Sequence, residues 1–302
     1  MRLPARVTIE EVGLRDGLQL IGTVVPVAVK LRLLHALHGA GIRAMEVTSF
    51  VSPKAVPQFS DAEAVARAAL ALPHLDVSAL IPNLRGFERA REAGVRQYTV
   101  VIGATDRFNE RNVRMTVAES LEQLDAIVAG VRAAPGADLA VGIAVAFGCP
   151  YTGRVPLEAV VRIVDHARAL GVRAISLGDT IGVATPLQVA ASVARLMEAH
   201  PDLRLALHLH DTRGMGLANV LAGCEAGVSR FDSAVGGLGG CPFAPGATGN
   251  IATEDVNHML QAMDIETGID QQALLECGRL VRDVITAELP SHSLRVHLGR
   301  GA

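Results

Sequence analysis

The sequence has 302 residues and a formal net charge of −3; half of its residues are hydrophobic and only 3% are aromatic. This composition is typical of an ordered globular protein and excludes a disordered chain, while the scattered arginines argue against a surface for nucleic acid or anionic membranes. No apolar run reaches the roughly 18 residues that span a bilayer, and the first residues lack the apolar stretch of a signal peptide. We therefore expect a cytoplasmic protein that binds neither nucleic acid nor membranes.

Eight short apolar segments alternate along the chain with longer segments of helical character. They recur every ~20–45 residues, which is the spacing of strands joined by crossover helices. Their apolar, β-branched composition is typical of a parallel sheet buried on both faces. The predicted strands are Val7–Glu11, Ala44–Thr48, Asp76–Leu80, Gln97–Ile102, Leu139–Val145, Ala174–Leu177, Arg204–His208 and Arg230–Ser233.

Helices are expected to fill the gaps, and several of them end in an Ala-Gly pair that turns the chain back into the sheet. The predicted helices are Pro26–Ala40, Ser60–Ala71, Glu119–Val131, Leu157–Leu170, Pro186–Ala199 and Gly216–Ala226. Eight regular units without a nucleotide-type glycine fingerprint favour a closed (β/α)8 TIM barrel over an open doubly wound sheet. We predict one α/β domain over residues 1–302, with the barrel at about 5–250, further helices at about 253–290 and a frayed C-terminus.

The four cysteines, Cys149, Cys224, Cys241 and Cys277, form no C-x-x-C pair, so neither a disulfide framework nor a structural zinc site is expected. Cys241 differs from the others because it lies within the glycine-rich segment 236–250, after the last predicted strand. A loop cysteine beside a metal can have a lowered pKa and can transfer a proton.

Polar residues cluster where the first and seventh predicted strands end, and barrel enzymes carry their active sites at these strand ends. Arg15 and Asp16 follow the first strand; they form either a structural ion pair or a site in which Asp16 binds a metal and Arg15 holds an anionic oxygen. His208 and His210 alternate along the seventh strand, so both imidazoles point to the same face. Asn250 could add a carbonyl ligand, and oxygen and nitrogen donors without a thiolate suit Mg²⁺ or Mn²⁺.

Three further carboxylates lie near these strand ends. Glu46 closes the second strand and could hold Arg15 or serve as a buried salt-bridge partner. Asp179 follows the sixth strand and could line the site. Asp211 follows His210 directly and could orient a ligand imidazole.

These segments together resemble the family of 3-hydroxy-3-methylglutaryl-CoA (HMG-CoA) lyases, within a wider group of barrel metallolyases. The similarity covers nearly the whole chain, and the glycine-rich loop that continues through Gly249–Asp255 is the part most particular to the lyases. The motifs that carry the resemblance are Gly13–Gln19, Thr48–Lys54, Gly148–Tyr151, Leu177–Thr180, His208–Thr212 and Gly236–Asn250.

The resemblance implies a retro-Claisen cleavage of HMG-CoA to acetyl-CoA and acetoacetate, a divalent metal, a homodimer and a place in leucine degradation. It implies that Arg15 stabilises the enolate oxygen of the thioester and that Cys241 protonates the carbanion. The base that accepts the C3 hydroxyl proton stays open between Asp16 and His208. The implied metal ligands are Asp16, His208, His210 and Asn250, and the implied supporting or substrate-binding residues are Gln19, Glu46, Asp179 and Thr180.

Three segments depart from the family pattern. Leu20-Ile21 stands where Asn-Glu is usual, Ala104–Phe108 differs from the usual Ala-Ser-Glu-x-Phe, and Arg213 stands where Tyr is frequent. The first change removes a polar side chain next to Arg15 and Asp16, and the loss of one substrate hydrogen bond costs roughly 10–100-fold in discrimination. A citramalyl- or methylmalyl-type thioester is therefore an alternative substrate.

Two other functions compete with the lyase. A Claisen-condensing acyl-CoA synthase would use the same barrel, but we expect such a synthase to carry an additional C-terminal regulatory region. A barrel kept as a binding protein without turnover would be expected to have lost Cys241 or a metal ligand.

Overall fold

The computed structural model describes residues 3–240, 249–285 and 289–299. Within these ranges eight parallel strands close into a barrel, which confirms the TIM-barrel prediction and rules out the open sheet. All eight predicted strands are present, with ends shifted by at most two residues. The barrel strands are β1 (Thr8–Glu11), β2 (Ala44–Ser49), β3 (Asp76–Leu80), β4 (Gln97–Gly103), β5 (Asp138–Ala144), β8 (Ala174–Asp179), β9 (Arg204–Leu209) and β10 (Arg230–Ser233), and a small antiparallel hairpin consists of β6 (Gly148–Cys149) and β7 (Gly153–Arg154).

The first strand closes the barrel. Glu11, its last residue, lies opposite Ser233 of β10 and Met45 of β2. The chain segments that follow β1 and β10 therefore leave the barrel side by side at its C-terminal face. Residues 13–17, which form a π-helical turn, and the short 3₁₀ turn Val235–Gly237 occupy these two positions.

The helices surround the barrel and include every predicted one. Two short helices, α3 and α4, were not predicted because they are mostly polar; each packs one large apolar side chain, Phe87 and Phe108, into the core. The helices are α1 (Val27–Gly39), α2 (Ala62–Leu70), α3 (Leu84–Glu92), α4 (Asp106–Val113), α5 (Val117–Arg132), α6 (Leu157–Ala169), α7 (Pro186–Ala199), α8 (Gly216–Glu225), α9 (Thr253–Ala262), α10 (Gln271–Ile285) and α11 (His292–Gly299). None of the helices described is long and apolar enough to cross a bilayer.

The C-terminal segment corrects one prediction. Residues 292–299 form α11, where the sequence indicated a frayed end. The carboxylate of Asp255 accepts hydrogen bonds from the backbone N–H groups of His292 (2.8 Å) and Ser293 (2.7 Å). Because a carboxylate bound to the first N–H groups stabilises a helix start, a residue 37 positions away in the chain fixes this helix.

The inside of the barrel is unusually open. Small side chains of β5, β8 and β9, among them Ala140, Gly142, Ala174 and Ala206, leave a cavity of about 500 Å³ that begins at the C-terminal face and continues into the lumen. TIM barrels usually fill this space with bulky branched side chains. The cysteines described, Cys149, Cys224 and Cys277, are buried free thiols outside this cavity.

Candidate active site

Three of the predicted ligands meet at the C-terminal face of the barrel. Asp16 lies on the π-helical turn after β1, and His208 and His210 lie at the end of β9. One carboxylate oxygen of Asp16, Oδ2, is 3.8 Å from the Nε2 atom of each histidine, and the two Nε2 atoms are 3.2 Å apart. One ligand atom from each residue therefore lies within 4.8 Å of the others, a separation that a single metal ion can bridge.

Asn250, the fourth predicted ligand, lies next to Asp16 and His210. A β-bridge between His210 and Asn250 brings the amide into the site. The amide nitrogen donates to Asp16 Oδ2 (2.8 Å) and to the carbonyl of Leu238 (2.9 Å). These two acceptors fix the amide orientation and leave Asn250 Oδ1 buried without a hydrogen-bond partner.

The unpartnered amide oxygen tests whether these residues fit a metal ion. A buried polar atom without a partner costs about 1–3 kcal/mol, so native proteins rarely keep one without a use. Asn250 Oδ1 is in this condition, in a site that also offers a carboxylate and two imidazoles. Oxygen and nitrogen donors of this kind suit Mg²⁺ or Mn²⁺, so the residues fit such an ion.

Gly239 allows the close packing around Asn250. Its φ of 121° lies in a region that favours glycine, and a Cβ at this position would be 2.6 Å from Asn250 Nδ2 and 3.6 Å from Asp16 Oδ2. Any larger residue would therefore collide with the amide. Gly239 thus brings its backbone against the ligand cluster.

Arg15 lies beside the ligands as a fixed cation. Its guanidinium is buried and donates to the carboxylates of both Glu46 and Asp16. Although burial opposes the charge, these two carboxylates raise the pKa of Arg15, so it stays protonated. Burial raises the pKa of Glu46, and Arg15 offsets part of this effect. The two interpretations of Arg15-Asp16 are compatible, since the ion pair itself holds the cation next to the cluster.

Asp232 orients His208, a role that the sequence prediction gave to another residue. Asp232 Oδ2 lies 3.2 Å from His208 Nδ1, and the two residues are register partners on β10 and β9. The assignment of Asp211 to this role was wrong, because its Oδ1 accepts the N–H of Gly216 (2.7 Å) at the start of α8. A carboxylate on the far nitrogen of an imidazole is the usual support of a metal-binding histidine.

The charges give the two histidines different protonation behaviour. Burial, followed by the nearby His208, lowers the pKa of His210 to about 4, so His210 is neutral at neutral pH. For His208, burial opposes the charge, but Asp232 and Asp16 raise its pKa above the ordinary value. The pKa of Asp16 is held well below its usual range by Arg15 and the histidines, although burial acts in the opposite direction.

The predicted substrate-binding residues divide into two groups. Gln19 and Thr180 line the cavity, as do Arg15 and Glu46. Asp179 does not: its two carboxylate oxygens accept the backbone N–H groups of residues 183 and 184, both at 2.9 Å. Asp179 therefore shapes the loop that carries Thr180. Cys241 lies outside the described residues, and its neighbour, residue 240, lines the cavity.

The three departures from the family pattern lie at different places. Leu20 lines the cavity and is 44% exposed. The side chain of Arg213 instead donates to the carbonyls of Ile181 (2.7 Å) and Gly182 (3.2 Å) and holds a loop. In the segment Ala104–Phe108, the carboxylate of Asp106 accepts a hydrogen bond from the backbone N–H of residue 117. Of the changed residues, Leu20 is the one in a position to contact a ligand.

The closed parallel barrel with a carboxylate–histidine cluster at its C-terminal face defines a candidate metal-dependent barrel enzyme. The chain belongs to the HMGL-like family, whose sequence profile matches residues 6–281.

Relatives in this family are similar over almost the whole chain. Mitochondrial hydroxymethylglutaryl-CoA lyase of Homo sapiens is 41% identical over 291 residues, which is 96% of this chain and 89% of that protein. The crystal structure of the HMG-CoA lyase of Bacillus subtilis is 38% identical, with a TM-score of 0.95 and coverage of 99% of this chain and 100% of that one. An HMG-CoA lyase from Acinetobacter baumannii in complex with coenzyme A and 3-methylmalate is 40% identical, with a TM-score of 0.91 and coverage of 96% and 94%.

Proposed function

We propose that this chain is an HMG-CoA lyase, an enzyme that cleaves HMG-CoA into acetyl-CoA and acetoacetate. The observation that carries the proposal is the cluster of Asp16, His208 and His210 beside the fixed cation Arg15. This cluster lies in a chain that is about 40% identical to HMG-CoA lyases over nearly its full length. The relative that contains coenzyme A supports an acyl-CoA substrate.

The metal of this reaction is proposed to be Mg²⁺ or Mn²⁺. Asp16, His208, His210 and the carbonyl oxygen of Asn250 would hold it. When bound, a divalent ion acts as a Lewis acid that polarises the substrate's hydroxyl and carboxylate oxygens.

The residues around the cluster account for the movement of the reacting proton and electrons. The C3 hydroxyl loses its proton, the C2–C3 bond breaks, and its electron pair moves onto the thioester as an enolate. Arg15, held by Glu46 and Asp16, offers a fixed positive charge to the enolate oxygen. Cys241 is proposed to protonate C2, so the proton lost at the hydroxyl is balanced by the one gained at carbon.

The general base stays open between Asp16 and His208. A general base works best when its pKa lies near the operating pH, and Asp232 raises the pKa of His208, whereas the pKa of Asp16 is held far below its usual range. His208, however, is also a proposed metal ligand through Nε2, and its Nδ1 lies 3.2 Å from Asp232. Neither ring nitrogen would be free to accept the hydroxyl proton while an ion is bound.

The direct test measures acetyl-CoA release from HMG-CoA by the purified protein with Mg²⁺ or Mn²⁺, against a chelated control. We expect metal-dependent turnover of about 1–1000 per second. Metal-loaded, folded protein that releases no acetyl-CoA from HMG-CoA or from related thioesters would contradict the lyase proposal.

Leu20 makes a related 3-hydroxyacyl-CoA the second candidate substrate. Its apolar side chain is exposed on the cavity wall, where it cannot hydrogen-bond to an acyl group. The same assay with citramalyl- and methylmalyl-type thioesters separates the candidates by kcat/KM. A preference of tenfold or more for one of them over HMG-CoA would reassign the substrate without changing the reaction.

The biological setting is proposed on the family resemblance. We place the chain in leucine degradation, as a homodimer in the cytoplasm, with residues 1–302 acting as one catalytic domain. The relative from Bacillus subtilis supports the cytoplasm, while the animal relatives are mitochondrial. Light scattering coupled to size-exclusion chromatography tests the dimer, and a mass of about one chain would exclude it.

A further inference from the structure

Glu11, the last residue of β1, has a buried carboxylate that receives hydrogen bonds from three neutral donors. Its side chain is fully enclosed, with the residue 1% exposed, and it does not line the cavity. The donors are the N–H of Gly13 (2.7 Å), the N–H of Val235 (3.0 Å) and the hydroxyl of Thr253 (2.6 Å).

Each of the three donor residues lies three residues along the chain from a proposed metal ligand or from a residue that bonds one. Gly13 precedes Asp16 by three residues, and Thr253 follows Asn250 by three. Val235 lies three residues before Leu238, whose carbonyl accepts a hydrogen bond from the Asn250 amide. The carboxylate therefore joins three chain segments that belong to the cluster but are far apart in sequence.

The tight fit around Glu11 is built into the turn after β1. A Cβ on Gly13 would lie 2.5 Å from Glu11 Oε1 and 3.3 Å from Val235 Cγ1. Only glycine lets the carboxylate reach both backbone N–H groups at once. The turn that carries Asp16 is thus held against the 3₁₀ turn Val235–Gly237.

We propose that Glu11 is a positioning residue that sets the placement of Asp16 relative to Asn250. Asp16 and Asn250 are 234 residues apart in sequence and meet through a single 2.8 Å hydrogen bond. Glu11 holds the segments of both, so its loss frees the two ligands to move apart. The inference rests on the proposed metal centre and adds to it a residue that would not touch the metal.

The cost of burying Glu11 supports this role. Burial raises the pKa of Glu11 to about 7, and its three hydrogen bonds offset only part of this effect. An apolar residue would avoid this penalty. The carboxylate is useful here because it can accept hydrogen bonds from several donors at once, and a glutamine amide cannot accept at its nitrogen.

Glu254 provides a matched control. It is also a buried glutamate whose pKa burial raises to about 7. Both of its oxygens lie 3.0 Å from the N–H of Gly236, the residue that follows Val235 in the same turn. Its bonds to this turn do not involve Gly13 or Thr253. Glu254→Gln therefore disturbs the same turn without disconnecting the Asp16 segment.

The test compares the Mn²⁺ affinity of wild type, Glu11→Gln and Glu254→Gln by calorimetric titration, together with each unfolding midpoint. We expect both variants to lose stability. Only Glu11→Gln should weaken Mn²⁺ binding, by about 3–10-fold, because the amide oxygen can still accept from Gly13 and Val235 but the amide nitrogen cannot accept the Thr253 hydroxyl. The affinity of Glu254→Gln should stay within about threefold of wild type.

A milder pair covers the case in which Glu11→Gln fails to fold. Thr253→Val removes the hydroxyl that bonds Glu11 while keeping the shape, and Thr253→Ser keeps the hydroxyl. We expect Thr253→Val to weaken Mn²⁺ binding by about 3–10-fold, because one of three bonds is lost, and Thr253→Ser to restore it.

Unchanged affinity in both Glu11→Gln and Thr253→Val would overturn the positioning role, and so would an equal loss of affinity in Glu254→Gln. A wild-type protein that binds no Mn²⁺ would instead contradict the proposed metal centre itself.

Discussion

Both faces of the barrel carry charged side chains on or next to the strands, and these side chains are arranged differently at the two faces. At the N-terminal face Arg230, the first residue of β10, donates to Glu10 (2.8 Å), whose other oxygen accepts the hydroxyl of Ser78 (2.6 Å). Arg204 and Asp138, the first residues of β9 and β5, form a second ion pair there.

At the C-terminal face the hydrogen-bond network of the polar side chains leaves a buried amide oxygen without a partner. Asp16, His208 and His210 lie together, while Asn250 Oδ1 beside them is buried without a partner. Charges that pair among themselves need no ligand and serve the fold. Donor atoms kept buried and unpaired are better explained by a ligand, and this difference locates the function at one face.

The largest effect is expected from Cys241, which directly follows residue 240 of the cavity wall in the sequence. Cys241→Ala should lower turnover by about 10²–10⁴-fold, the usual contribution of a general acid. Mn²⁺ affinity should not change, because Cys241 is not one of the proposed ligands. Cys224→Ala, which removes a buried thiol from α8, is the control. Equal turnover in Cys241→Ala and wild type would remove the acid role from this residue.

His210→Ala tests the ligand cluster itself. We expect a loss of Mn²⁺ affinity of at least about 100-fold, because a direct ligand contributes more than a supporting residue does. The unfolding midpoint is measured alongside, because His210 is buried and its Nε2 lies 3.2 Å from that of His208. His166→Ala, at a histidine paired with Asp125 on the outer helices, should bind Mn²⁺ normally. If both variants bind alike, the cluster is not the metal site.

The fold was predictable from sequence because strand spacing and apolar composition repeat eight times. The helices α3 and α4 were missed because they are short and mostly polar, so that each is fixed by one large apolar side chain and a capping residue, Asn83 or Thr105. Helix α11 was missed because its N-terminal cap, Asp255, lies in another helix.

The site was predictable only where its residues follow strand ends. Asp16, His208 and His210 were found in this way, whereas Asn250 was proposed from its place at the end of the glycine-rich loop, and the structure brings all four together. Asp232 was missed because it lies within a strand, and its role depends on a register partner 24 residues earlier. Chain adjacency pointed instead to Asp211 and failed because that side chain turns towards a helix start.

The protonation of the two histidines predicts how metal binding depends on pH. A metal ligand must be deprotonated, so Mn²⁺ competes with one proton at His208, whose pKa is raised, and affinity should fall about tenfold per pH unit below that pKa. His210, with a pKa of about 4, should add nothing above that value.

Titrations with Mn²⁺ between about pH 5 and 8.5 measure this slope. Asp232→Asn removes the partner that raises the pKa of His208, so the fall in affinity should begin at a lower pH. A slope of two protons would show that both histidines are charged in the free protein and would contradict the assigned pKa directions.

The smallest effect is expected at the N-terminal face. Arg204→Gln breaks the ion pair with Asp138, but the two side chains are 60% and 53% exposed, and surface pairs contribute only about 0–1 kcal/mol. Turnover and Mn²⁺ affinity should equal those of wild type, because the self-paired face plays no part in the reaction. Steady-state kinetics and a denaturant titration measure both quantities. A turnover loss comparable to that expected for Cys241→Ala would mean that the two faces act together through the open lumen, and the separation between a structural and a functional face would fail.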